Sequence, residues 1–494
     1  MKLRFFSGIF LAVLGGVLFA KTFLIFIDVT GNFSRETYNA VANLFPKIKN
    51  LNNLAFVSQN NIDNQDEERG GKSGEENFLK SEILLEDFPA NDDFVLSKQK
   101  ISEDLSIPQE GKVIVANLES MKLDLYKDGE LIKNYTILSK GRPSTPWETP
   151  PGSFEILYKK ENHFSTIGKV WMPYSIQFFG NYFIHGWPYH PDGSPVADGF
   201  SGGCIRLAND DISEVYKFGD ISTKVVILGA TENSISFSEK GKYEFKNDSE
   251  TKIPRLTAKS FLVADLETGQ IITSKNEKEL YPIASLTKLM TALVSLETIN
   301  QYKETTVSQT AYATYGAQGN LKPGQVFQIS DLMYPLLLES SNDAAEVLAE
   351  FSGRTNFMKN MNDKAKSIGL FQTDFDDPSG LSEKNISTAE DLFKLVKYIF
   401  NYKSYIFDVS KMKKHETETH TWLGNHKFRN EEYYIGGKNG YTDEARYTLV
   451  TLVELPLGQK EKRKIAIILL QADKTENDTR NIISYLLKNV YYID

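Results

Sequence analysis

Two groups of residues in this sequence have the types and spacing of acyl-transfer nucleophiles. The first centres on Cys204, in Ser201-Gly202-Gly203-Cys204-Ile205-Arg206, with His185 ahead of it in Ile184-His185-Gly186. The thiolate and not the thiol attacks, so a cysteine that works near neutral pH needs a base, and His185 at a strand end supplies one. Gly202 and Gly203 let the backbone approach a reacting carbonyl, and consecutive N–H groups there can hold the oxyanion. The second group is Ser285-Leu286-Thr287-Lys288, followed in order by Ser340-Ser341-Asn342 and Lys438-Asn439-Gly440. Ser285 near a helix start has Lys288 one turn later on the same face, within reach of its hydroxyl. A lone Ser-x-x-Lys recurs by chance, so the signal lies in the ordered set of three motifs.

Different elements must position the two groups. From Lys112 the pattern is one of short strands: Lys112 to Leu118, Lys122 to Tyr126, an Asp128-Gly129 hairpin turn and Leu131 to Leu138. Further strands are expected at Gly152 to Tyr158, Trp171 to Phe179, Tyr182 to His185 and Lys224 to Leu228, which makes 110–229 a mostly β domain. After a polar linker at 230–255, Ser260 to Thr273 reads as two strands around a Gly turn, and helices follow. The run Ile283 to Val294 has helical spacing behind Pro282. The fold class expected is therefore multidomain, with a mostly β domain followed by an α/β (α+β) domain at 256–494.

The segment 110–229 resembles the L,D-transpeptidase catalytic domain. The resemblance rests on Thr149-Pro150-Pro151-Gly152-Ser153-Phe154, Met172-Pro173-Tyr174, Ile184-His185-Gly186 and Ser201 through Leu207. It implies that Cys204 attacks the L,D bond of a peptidoglycan tetrapeptide stem, releases the terminal D-Ala and passes the acyl group to a neighbouring stem. By position His185 is the base, the Gly186 carbonyl orients its imidazole, and Arg206 matches an arginine that many members carry. The family usually reads Ser-His-Gly-Cys, and this chain has Gly202 in place of that histidine.

The three serine-centred motifs form the set found in penicillin-binding proteins and β-lactamases, with Asn439 replacing the expected Thr. In that set Ser285 attacks a carbonyl, and Lys288, kept neutral by burial and by the nearby Lys438, takes its proton. Ser340 relays a proton to the leaving amine, Asn342 holds the substrate amide and Lys438 attracts a terminal carboxylate, while the N–H groups of Ser285 and Tyr441 form the oxyanion hole. The segment 256–494 resembles the D-alanyl-D-alanine carboxypeptidases of the S11 serine peptidases, through Met361 to Leu370, Asp377-Pro378-Ser379-Gly380-Leu381 and Gly437 to Ala445. No Glu-x-x-Leu-Asn element follows Ser340, which disfavours a class A β-lactamase. Asn439, Gly440 and Tyr441 join Gly202, Gly203 and Arg206 as expected substrate contacts. Arg446 stands where relatives usually have Gly, and this leaves a D,D-endopeptidase as the alternative.

The rest of the chain sets the location. Lys2 and Arg4 precede a largely apolar run from Phe5 to Ile27, so 1–29 reads as a signal anchor, with a cleaved signal peptide as its rival. The polar stretch 30–108 reads as a flexible tether, with weak helical spacing between Asn39 and Asn50. This places both domains on the extracytoplasmic face of the plasma membrane. A single cysteine in an exported chain forms no internal disulfide, which leaves Cys204 either a buried bystander or a reactive thiol. The formal net charge of -9 offers no basic footprint for nucleic acid. His415, His420 and His426 lack metal-ligand spacing, and no metal or other cofactor is expected. The partners that the resemblances imply are peptidoglycan stem peptides, with β-lactams as inhibitors. The reading that joins these expectations is a bifunctional wall-remodelling enzyme, in which the serine domain makes the tetrapeptides that the cysteine domain consumes. Its competitor is a wall-binding protein with two degenerate sites, motivated by Gly202 and Asn439.

Overall fold

In the first domain β1 (Lys112–Asn117) is a central strand because its apolar residues serve both faces. Ile114 and Ala116 point into the main core, whereas Val113 and Val115 pack with Val226 on the other side. A computed structural model provides the structure and describes residues 110–229, 241–246, 255–316, 319–458 and 461–493. The expected anchor at 1–29, the tether at 30–108 and the helical spacing at Asn39 to Asn50 lie outside the described residues. Among the described residues no helix is long and apolar enough to cross a membrane.

Around β1 runs a five-stranded sheet of order β3-β2-β1-β9-β4, formed with β2 (Lys122–Lys127), β3 (Glu130–Thr136), β4 (Gly152–Glu155) and β9 (Lys224–Leu228). A second sheet has the order β5-β6-β7-β8, with β5 (Tyr158–Ser165), β6 (Val170–Phe179), β7 (Tyr182–His185) and β8 (Ile205–Arg206). Three elements escaped the sequence reading, the first being the two-residue strand β8 inside the Cys204 motif. Strand β5 is an edge strand, polar and largely exposed, without apolar alternation. Helix α1 (Asn209–Phe218) buries only Ile212 and Val215, too few apolar residues for a clear helical period.

The register of the second sheet assembles the cysteine group. Strands β7 and β8 pair in parallel with Ile184 opposite Ile205 and His185 opposite Arg206. Both isoleucines are fully buried in the core. Alternation then turns His185, Cys204 and Arg206 to the other face of the sheet.

The second domain is built on a five-stranded antiparallel sheet. Its order is β12 (Ile271–Lys275), β11 (Ser260–Asp265), β15 (Arg463–Ala472), β14 (Arg446–Leu455) and β13 (Tyr434–Thr442). Strand β11 is buried throughout because the sheet is covered on both faces. Leu262 and Ala264 join a core with α2 (Thr287–Thr298), α3 (Asn342–Phe351), α4 (Arg354–Ser367) and α5 (Ala389–Tyr402). Phe261 and Val263 face α6 (Thr475–Asn489) instead. Strand β10 (Lys242–Phe245), inside the stretch read as a linker, pairs with β16 (Val490–Ile493) at the other end of this domain.

Both domains belong to one compact unit of the chain. Where they meet, Lys364 and Glu297 form an ion pair of 2.9 Å with both side chains fully buried. Tyr398 completes it, accepting from Lys364 Nζ at 2.7 Å and donating to Glu297 Oε1 at 3.0 Å. The first domain supplies an aromatic lining: Lys364 Nζ lies 5.6 Å from the Phe154 ring and 5.3 Å from the Phe179 ring. Removing one partner of a buried pair leaves the other charge uncompensated. Lys364→Met is expected to destabilise the protein by about 3–5 kcal/mol. Lys364→Met/Glu297→Gln should recover part of that loss. Chemical denaturation of the single and double variants checks both statements, and a single variant of wild-type stability would refute them.

Candidate functional site

Ser285 precedes α2, in a 3₁₀ turn of Ala284–Leu286 rather than in the α-helix itself. Ala284, just before it, has φ of 47°, a left-handed conformation that is costly for a residue with a Cβ. Close packing over-determines this turn. A Cβ on Gly380 would lie 2.0 Å from the Ala284 carbonyl oxygen, and one on Gly440 would lie 2.8 Å from the Ser285 nitrogen. Glycine at both positions lets two other segments close on the serine.

Lys288, in the first turn of α2, is fully buried. Its Nζ reaches Ser285 Oγ at 2.9 Å, Asn342 Oδ1 at 2.6 Å and the Ser379 carbonyl at 2.5 Å. Burial lowers its pKa to about 7, against the opposing pull of Asp377. An amine that is neutral near pH 7 and touches a serine hydroxyl can take that proton. Asn342 is oriented through its Nδ2, which donates to the Tyr315 carbonyl at 2.7 Å. Ser340 follows a π-helical turn, Pro335–Glu339, and has φ of 63°. Its Oγ accepts from Lys438 Nζ at 2.8 Å, and Lys438 also donates to the Asn439 carbonyl at 2.7 Å. Burial first, and then the nearness of Lys288, hold the Lys438 pKa well below the usual lysine range. The geometry thus brings Ser285, Lys288, Ser340, Asn342 and Lys438 together.

The side chain of Asn439 presents a buried Oδ1 without a hydrogen-bond partner. Tyr441 projects its ring outward and is half-exposed. Arg446 donates to Asp473 at 2.8 Å, and its φ of 52° shows why glycine suits that turn. Sequence reasoning assigned no role to Ser379 or Asp377. The Asp377 carboxylate accepts from the backbone N–H groups of Ser379, Gly380 and Ser382 at 2.7, 2.8 and 2.7 Å. It thereby shapes the loop whose Ser379 carbonyl holds Lys288. The signal was present in Asp-Pro-Ser-Gly, an Asx-turn sequence.

The cysteine group has a different resting chemistry. Cys204 Sγ donates to the Asn181 carbonyl at 3.8 Å, and the Phe183 backbone N–H also acts on the sulfur. His185 Nδ1 donates to the Gly186 carbonyl at 2.6 Å, which leaves Nε2 as the basic nitrogen. Burial pushes the thiol up to about 11 and the imidazole down to about 3. Cys204 is half-buried by accessible surface, yet enclosed closely enough that its charged form is disfavoured. The resting pair is therefore a neutral thiol and a neutral imidazole. Arg206 lies over the Trp187 ring at 5.3 Å, and its Nε is buried without a partner.

The loop before Cys204 is pinned. Ser201 Oγ donates to the Cys204 carbonyl at 2.5 Å and accepts from Gly203 N–H at 3.0 Å, so the Gly203 N–H is already engaged. Gly203 has φ of 111°, and a Cβ there would lie 2.3 Å from the Tyr182 ring. A Cβ on Gly202 would meet nothing within 4 Å, so a side chain fits there without collision. Of the remaining histidines, His163 lies near enough to act on His185, and His426 lies near enough to Lys438 to feel its charge. His426 is buried with Nε2 at 3.1 Å from the Val450 carbonyl, and His415 stacks on Tyr334.

The family model described as D-alanyl-D-alanine carboxypeptidase (peptidase S11) matches residues 247–472, and the L,D-transpeptidase catalytic domain matches residues 111–227. The D-alanyl-D-alanine carboxypeptidase DacF of Bacillus subtilis (strain 168) is 32% identical over 206 residues, which cover 39% of this chain and 53% of the relative. A D-alanyl-D-alanine endopeptidase of Haemophilus influenzae is 35% identical over 208 residues, covering 39% of this chain and 69% of the relative. The chain thus spans about half the length of the first of these relatives. A solved D-alanyl-D-alanine carboxypeptidase of Mycobacterium tuberculosis H37Rv aligns with 47% of this chain and 92% of its own, at 24% identity and a TM-score of 0.44.

With Lys288 as its base, acylation at Ser285 is expected to depend on pH. The folded pKa of this lysine is depressed, so the neutral form prevails above about 7 and is lost below it. The rate at which a fluorescent penicillin labels Ser285 is expected to rise with pH through about 7 and then level off. Lys288→Met is expected to lower that rate by about 10²–10⁴-fold. A flat pH profile, or a methionine variant that labels normally, would remove Lys288 as the base.

Proposed function

We propose that this chain, which belongs to the D-alanyl-D-alanine carboxypeptidase family and also carries an L,D-transpeptidase catalytic domain, performs two consecutive acyl transfers on peptidoglycan stems outside the cytoplasm. The observation that carries the first is the buried Lys288 amine at 2.9 Å from Ser285 Oγ. Ser285 Oγ attacks the carbonyl between the last two D-alanines of a pentapeptide stem, and its proton moves to Lys288 Nζ. The C–N bond then breaks, and the leaving amine takes a proton through Ser340 Oγ, which Lys438 holds. Asn342 aligns the stem's amide, and water releases the acyl group as a tetrapeptide.

The tetrapeptide is the donor for the second reaction. Cys204 Sγ attacks the carbonyl of the stem's third residue, its proton goes to His185 Nε2, and D-alanine leaves. An amine of a neighbouring stem then takes the acyl group from sulfur. The thiol at about 11 and the imidazole at about 3 oppose a resting ion pair, so proton transfer accompanies attack rather than preceding it. Arg206, next to the nucleophile with its Nε unpartnered, suits a stem carboxylate.

A second reading, hydrolysis of D,D crosslinks at Ser285, is favoured by the relative that bears the name endopeptidase and is 69% covered by this chain. Purified pentapeptide muropeptides and D,D-crosslinked dimers, supplied separately to the full chain, separate the two. Mass analysis is expected to show tetrapeptide and then L,D-linked dimer. Ser285→Ala should block the first product and Cys204→Ala only the second. Intact pentapeptide together with cleaved dimer would replace the carboxypeptidase by an endopeptidase. Crosslinking of supplied tetrapeptide by Cys204→Ala would sink the cysteine mechanism.

A further inference from the structure

The cysteine group is not held by its own domain alone. The loop 141–149 lies against the nucleophile segment: Thr149 Oγ1 donates to the Gly203 carbonyl at 2.8 Å and accepts from Gly141 N–H at 2.9 Å. A Cβ on Gly203 would lie 3.1 Å from the Trp147 carbonyl oxygen, so this loop and the residue before Cys204 are in direct contact. On its other side the same loop is gripped from the serine domain. Lys403, just after α5 and 2% exposed, donates to the Pro146 carbonyl at 3.1 Å and the Glu148 carbonyl at 2.8 Å. Trp147, between them, stacks on Tyr302 with ring centroids 6.0 Å apart.

A second grip lies at the sulfur itself. Asn181, whose carbonyl is a partner of Cys204 Sγ, donates its Nδ2 to the Thr298 carbonyl at 2.7 Å. Thr298 is the last residue of α2, the helix that begins beside Ser285. Tyr182, next to Asn181, packs on Gly203 and has Lys403 Nζ 6.0 Å from its ring. Two segments that contact the Cys204 loop, 146–149 and 181–182, are thus each anchored in the other domain.

We propose that Lys403 and the end of α2 are positioning elements for the L,D-transpeptidase site, so that the serine domain builds part of the geometry in which Cys204 reacts. This rests on the reading of Cys204 as the L,D nucleophile. Lys403 acts through the carbonyls of 146 and 148, then Thr149, then the Gly203 carbonyl. It touches neither substrate nor sulfur. The fusion of the two domains is on this view a structural requirement of the second reaction and not only a means of raising local concentration.

A double-variant cycle in the full chain tests this. Wild type, Lys403→Met, Thr149→Val and the double variant are treated with a carbapenem, and acylation at Cys204 and at Ser285 is read separately by peptide mass. Lys403→Met is expected to slow Cys204 acylation about tenfold or more, the scale on which small misplacements act. Thr149→Val should do the same, and the double variant should fall no further than the worse single one, because both act along one route. Ser285 acylation should stay within about twofold of wild type, since neither residue contacts that site. Asn181→Ala, a change at an exposed side chain, cuts only the tie to Thr298 and is expected to slow Cys204 several-fold. Cys204 rates equal to wild type, losses that multiply in the double variant, or an equal fall at Ser285 would each overturn the proposal. A wild-type chain whose Ser285 acylates while Cys204 never does would overturn the L,D reading, and the inference with it.

Discussion

The structure depends on how it satisfies buried ammonium groups. Lys288, Lys364, Lys403 and Lys438 are all buried, and a buried ammonium without partners costs several kcal/mol. Each is met differently. Lys364 has a carboxylate and a tyrosine hydroxyl, and stays an ion-pair member. Lys403 has two backbone carbonyls and Glu297 and Glu148 nearby, and burial brings it to about 8. Lys288 has only neutral oxygens in contact, and Asp377 acts on it from a distance. Lacking a contacting carboxylate, and touching Ser285 Oγ, it is brought by burial to about 7. Lys438, likewise in contact only with neutral oxygens, is also held well below the usual lysine range.

The same logic separates Ser285 from Cys204. Around Ser285 the protein has placed on the hydroxyl an amine that burial brings to about 7, so proton transfer has a route near neutral pH. Around Cys204 burial acts on both partners in the direction of neutrality, and the thiol rests on a carbonyl. A substrate that displaces water and brings a carbonyl to the sulfur must supply what the resting site lacks. Helix α2 runs between these two environments, with Lys288 in its first turn and Thr298 at its end. Its 12 residues span about 18 Å at 1.5 Å per residue.

The departures from family pattern become concrete in this setting. Gly202 lies where a side chain has room, so its absence is a matter of chemistry and not of packing. Asn439 brings an amide where a hydroxyl is usual and leaves its Oδ1 buried and unpartnered, an acceptor awaiting a donor. Arg446 is engaged by Asp473 at the surface.

What the sequence determined by itself was the set of reacting types and most of the elements that carry them. Alternation fixed β1, β2, β6, β7 and β9, and helical spacing behind Pro282 located α2, because these segments bury one or both faces and their apolar period records it. Strand β5 and helix α1 were not legible, since an exposed edge strand and a helix with two buried residues leave almost no period. The ordered serine motifs were legible because three motifs in a set order rarely coincide by chance. Tertiary structure alone decided the rest. It alone put Ser379 and Asp377 behind Lys288, engaged the Gly203 N–H with Ser201, and brought Lys403 and Thr298 to the cysteine loop. These are contacts of side chains with backbone carbonyls and N–H groups, and those made by Lys288, Lys403 and Asn181 join segments far apart in the chain. Every residue carries those groups, so no residue type announces them, and only the folded positions of the two domains select which ones meet.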